Sequence, residues 1–229
     1  MIELGCPILE RRGRYDTSIL HQTELAAALF DLVGGPVPHP DEQEEEARAL
    51  AKQLGDRSKV LLKVIELCKT PTTPEQLYLT ARAYSFLGGP YAEETERYAT
   101  AYLSTDGWKG LPQRTVEEEG ILINQAAANR ACIVSDLAAA EEHLGKLEAA
   151  ISHYLEAYRL EPSQAMYAIK AADGMAQRGR KEEALAFLRQ QKKSRYYTPV
   201  DRPGRWGAAG RNATFQELLN AHILKLEAK

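Results

Sequence analysis

The sequence predicts an all-α protein assembled from helical hairpins. Three observations carry that reading. Apolar residues recur at spacings of three and four along most of the chain, the mark of amphipathic helices. Glycine and proline stand where those periodic stretches stop. Glycines also recur at a fixed interval: 179 − 145 = 34 and 89 − 55 = 34.

The elements follow in order. Asp16 or Thr17 is placed to cap a first helix ending at Gly34-Gly35. PVPHP (36–40) cannot continue it, because proline lacks the N–H and restricts its predecessor. Asp41 opens the next helix, with Glu42, Glu44, Glu45 and Glu46 at the positive end of its dipole and Gly55 at its end. Val60, Leu61, Val64, Ile65 and Cys68 form the next apolar stripe. Thr73 then caps a helix with Pro74 at its first position, and Gly88-Gly89 ends it. Residues 104–114 read as a loop. Residues 115–143 read as one long helix, or two with a kink near Ala126-Ala127-Ala128. Helices around Gly145 and Gly179 follow, then an irregular arm over 195–211. A last helix runs from about Asn212 to Leu226, with Phe215, Leu218, Leu219, His222, Ile223 and Leu226 on one side.

The chain has 229 residues, 44% apolar and 27% charged, which suits one soluble domain with a real core. No apolar run is long enough to span a bilayer, and the first residues have no secretory pattern, so a cytoplasmic protein is expected. Cys6, Cys68 and Cys132 are far apart and read as reduced, mostly buried thiols.

The thirty-four-residue interval has a specific form. Residues 131–164 place Leu137 and Ala138 on a first helix and Gly145 at the turn. Ala150, Tyr154, Ala157, Leu160 and Pro162 follow on a second helix and its break. This unit resembles a tetratricopeptide repeat. Residues 165–198 resemble a second unit, through Ala171, Ala172, Gly179, Ala184 and Leu188, although Gln191 replaces the third alanine and the closing proline is displaced to Pro199. Residues 74–107 make a looser unit (Ala81, Gly88, Ala101) with one extra residue in its GGPY turn, and 41–73 is a degenerate candidate. The resemblance implies a right-handed αα-superhelix of such hairpins over 41–198. A helical cap over 1–40 would precede it, and a basic arm with a capping helix over 199–229 would close it.

The resemblance also implies a concave groove lined by the first helix of each unit. The matching positions are Glu75, Tyr78, Leu79, Arg82 and Phe86; Cys132, Ser135, Asp136, Ala139, Glu142 and His143; and Met166, Ile169, Lys170, Asp173 and Gln177. Members of the family that bind chaperone tails grip a terminal carboxylate with paired Lys and Asn. Ser135 and Ala139 occupy the matching positions here, so that ligand is not expected.

Nothing in the sequence forms a catalytic constellation. The glycine pairs lack the Lys-Ser/Thr continuation of a phosphate loop, no HExxH occurs, and the five histidines are dispersed. No catalytic residue, cofactor or metal is therefore assigned. The expected function is a non-enzymatic scaffold that binds a peptide or protein partner in the groove. Charge leaves an alternative open. Residues 165–211 carry eleven Lys or Arg and four Asp or Glu, so 11 − 4 = +7, and the rest of the chain is −3 − 7 = −10. Within the arm 178–211, Arg195, Arg202, Arg205 and Arg211 stand among Tyr196, Tyr197 and Trp206, a composition that suits a nucleic-acid-associated regulator binding single strands as well as an acidic protein surface. Self-association of acidic and basic ends is a further expectation.

Overall fold

The computed structural model describes residues 17–34, 37, 39–105, 115–118, 121–197 and 215–228. Among them are ten α-helices: α1 (Thr17–Gly34), α2 (Glu44–Leu54), α3 (Arg57–Leu67), α4 (Pro74–Leu87), α5 (Ala92–Ser104), α6 (Gln125–His143), α7 (Leu147–Leu160), α8 (Ala165–Gln177), α9 (Lys181–Gln191) and α10 (Phe215–Glu227). The protein is all-α in class, with one small strand pair.

That strand pair corrects the reading of 115–143. Thr115–Glu118 (β1) and Ile121–Asn124 (β2) form an antiparallel hairpin with Val116 opposite Ile123, and the helix begins only at Gln125. Gly120 and the β-branched Ile121 and Ile123 disfavour helix. Asn124 then starts one, its side chain accepting from the Ala127 N–H at 3.1 Å.

The predicted signals operate at most other ends. Thr73 and Gln76 form a reciprocal capping box, and Pro74 occupies the first helical position of α4. Gly145 and Gly179 turn the chain at φ +74° and +78°, where a Cβ would meet nothing; the need for glycine there is conformational rather than steric.

From α4 onward each helix packs on the next, and α4 also touches α6; α10 closes the row against α8 and α9. At the other end α1 packs on α2, α3 and α4, and α2 lies mainly against α1. The six consecutive residues Leu25 to Phe30 are all buried, because α1 is enclosed by those three helices. Alanines mark the close crossings: Ala138, Ala157, Ala171, Ala172 and Ala184 are fully buried. Gly174 goes further, since a Cβ there would lie 2.6 Å from Ile151 Cγ1. The C-terminal core joins Ile151, Met175, Leu185 and Leu188 to Phe215, Leu219, Ile223 and Leu226 of α10.

Candidate functional site

Side chains on α4, α6, α8 and α10 meet along one series of contacts. On α4, Arg82 donates from Nη1 to Asp136 Oδ2 on α6 at 2.7 Å, and Ser85 Oγ donates to Asp136 Oδ1 at 2.8 Å. Both ionic side chains are largely buried, at 11% and 14% exposure. Burial raises the Asp136 pKa above the ordinary carboxylate value, while Arg82 and Ser85 pull the other way. Burial works to lower the Arg82 pKa, but Asp136, Tyr78 and Cys132 together outweigh it and hold the guanidinium charged. The Arg82 guanidinium also lies 4.9 Å from the centre of the Phe86 ring, as does that of Arg57. Tyr78, one turn before Arg82, packs edge-on against Tyr102 at 5.5 Å, and burial pushes its phenol up.

Between α6 and α8, Glu142 Oε2 accepts from the Tyr154 hydroxyl at 3.1 Å and stands 3.5 Å from Lys170 Nζ. Burial, followed by the charge of Glu142, raises the Tyr154 pKa. Cys132 Sγ lies 3.7 Å from the Tyr167 hydroxyl, and burial raises the thiol pKa, so this cysteine is held as a poor nucleophile. Ser135 is half-buried on the same helix. Between α8 and α10, His222 Nε2 bonds Asp173 Oδ1 at 2.9 Å. Burial acts to raise the Asp173 pKa, but the hydrogen bond and charge of His222, with Lys225 and Lys170 nearby, hold it below the ordinary value.

Two expected groove residues are corrected. Ile169 is only 5% exposed and belongs to the C-terminal core; Leu79, at 2%, belongs to the N-terminal one. The open stripe of α8 runs through Met166, Lys170, Asp173 and Gln177, at spacings of four, three and four, and Ile169 sits about 100° behind Lys170. Leu79 is turned from Tyr78 by the same angle in the opposite sense. Met166 and Gln177 are exposed. His222, read from the sequence as one side of an apolar stripe, is instead the polar fastener of α10. The sequence signal was available: a histidine inside an otherwise apolar face needs a partner.

Of the basic arm, Arg195 is exposed, donates to the Tyr196 hydroxyl at 2.7 Å and lies over that ring at 4.9 Å. Arg202, Arg205 and Arg211 lie outside the described residues. Tyr196 packs against Phe215 and Tyr197 donates to Asn220, so both rings contact α10. Among the described residues no group of three His, Cys, Asp or Glu is placed to hold a metal ion, and no helix is long and apolar enough to cross a membrane. No protein-family model, curated protein or solved structure matches the chain.

Proposed function

We propose that the chain is a tetratricopeptide-like scaffold whose hairpins stack into a right-handed superhelix. It binds an extended peptide or a protein partner, without catalysis, on the face formed by α4, α6 and α8. One observation carries the reading: alternate helices are joined through the same series of side chains. Arg82 and Ser85 reach Asp136, Glu142 reaches Lys170, and Asp173 reaches His222. Alternate helices in contact are what stacked hairpins require, and a wall made in this way is preformed before a ligand arrives. The repeat supports it: α7 begins at Leu147 and α9 at Lys181, and 181 − 147 = 34.

Recognition would use the open positions of that wall. Met166 supplies an apolar anchor, and Glu142, Lys170, Asp173 and Gln177 supply polar selection. The proposed setting is the cytoplasm, where thiols such as Cys68 and Cys132 stay reduced. The contacts of Tyr196 and Tyr197 with α10 favour an arm that docks on its own chain over one that stacks on nucleic acid bases.

The test is affinity capture with wild type, with Met166→Asp/Lys170→Glu on the groove, and with Leu62→Asp on the exposed part of α3 as control. The expected result is a protein retained by wild type and control and lost from the groove variant. Capture that all three share, or that a nuclease abolishes, removes the groove as the functional surface.

A further inference from the structure

Three tyrosines crowd the turn between α4 and α5. The rings of Tyr84 on α4 and Tyr98 on α5 stack with centres 5.7 Å apart and planes 9° from parallel. Tyr91 lies against Tyr84 at 5.6 Å, tilted by 35°. The Arg97 guanidinium stands over the Tyr98 ring at 5.1 Å. All three rings are half-buried. Tyr98 borders the core shared by α4, α5 and α6, whereas Tyr84 and Tyr91 belong to none of the cores among the described residues. The stack is therefore open to small solutes. Elsewhere Tyr102 meets Tyr78 edge-on and is buried, as are Tyr154 and Tyr158. Among the described residues no second pair of tyrosines lies parallel.

We propose that Tyr84 and Tyr98 are a built-in cross-linking site, at which a one-electron oxidant joins the two rings through carbons ortho to their hydroxyls and staples α4 to α5. Each phenol gives one electron to the oxidant and its hydroxyl proton to water. The two phenoxyl radicals carry spin on their ortho carbons, and these pair to form one C–C bond. The hydrogen on each of those carbons then leaves as a proton while the oxygen regains one, which restores both phenols. With a haem peroxidase as oxidant, one hydrogen peroxide takes up the two electrons and two protons and becomes two waters.

The geometry selects this pair. Offset stacking holds the ring edges in contact, so a slide of either half-buried tip sets one ortho carbon on another. Coupling is then intramolecular, and its yield does not depend on protein concentration. The tilt of Tyr91 opens one side of its contact with Tyr84. Tyr84 is turned about 200° from Arg82 on α4. The staple thus lies away from the α4–α6–α8 face and does not depend on the function proposed for that face.

The test treats dilute purified protein with a haem peroxidase and hydrogen peroxide, then reads dityrosine fluorescence and maps the joined peptides by mass spectrometry. Wild type is expected to yield a fluorescent monomer lighter by two hydrogen atoms, with Tyr84 bonded to Tyr98 and a yield unchanged on dilution. Tyr84→Phe and Tyr98→Phe keep the rings, and each is expected to lower the fluorescence about tenfold with unchanged helical circular dichroism, while Tyr91→Phe stays within about twofold of wild type. A wild type without dityrosine overturns the proposal. So does fluorescence that survives Tyr98→Phe, or a product confined to covalent dimers.

Discussion

Asp136 is a residue whose removal the fold tolerates poorly. It accepts from both Arg82 and Ser85 in a largely buried setting, so Asp136→Ala strands a guanidinium away from water. The expected loss is about 3 kcal/mol, read from urea denaturation, and replacing both partners as Arg82→Met/Asp136→Leu is expected to recover most of it. A single variant no less stable than wild type would mean that Arg82 finds another partner. Gly145 makes a different demand. Its φ of +74° with open space around the Cβ position predicts a loss of about 1 kcal/mol for Gly145→Ala, with less for Gly145→Asn, by thermal melting. Asp173 carries a pH dependence. Its pKa is lower in the folded protein than in the unfolded chain, so its contribution is complete above the ordinary carboxylate range and is lost as pH falls through the folded value. Hydrogen exchange in α10 is expected to rise in that acid window, and Asp173→Asn to flatten the change.

At the scale of elements, helix ends and crossings decide the outcome. The Thr73–Gln76 box satisfies donors at the start of α4, and Thr73→Ala is expected to lower stability by about 1 kcal/mol in chemical denaturation. The crossings were legible because small residues repeat. Ala138, Ala157, Ala171 and Ala184 have no exposed surface, as their places in the repeat imply. The β1–β2 hairpin was not legible in the same way. It is four residues per strand, and its β-branched residues adjoin an alanine-rich run whose helical signal spreads across them. Asn124 was the better boundary marker, since its side chain caps the helix that follows.

For the whole molecule, α10 is the closing element. Phe215, Leu219, Ile223 and Leu226 are at most 6% exposed because they cover α8 and α9. Truncation after Tyr197 is expected to uncover apolar surface on both helices, seen as dye binding and aggregation at unchanged concentration. A truncated chain that stays monomeric and binds no dye would mean the row of helices needs no cap. The sequence by itself determined the all-α class, most helix ends and the alanine crossings, because propensity, capping and spacing act over a few residues. Tertiary structure alone decided which positions of α4 and α8 stay open. Ile169 and Lys170 are neighbours in the chain, yet one joins the core and the other meets Glu142, since a turn of 100° on the helix separates them and only the neighbouring helices define which side is inside. It also decided the role of His222. A histidine in an apolar stripe has no fixed meaning until packing brings Asp173 to 2.9 Å from it, across forty-nine residues of chain.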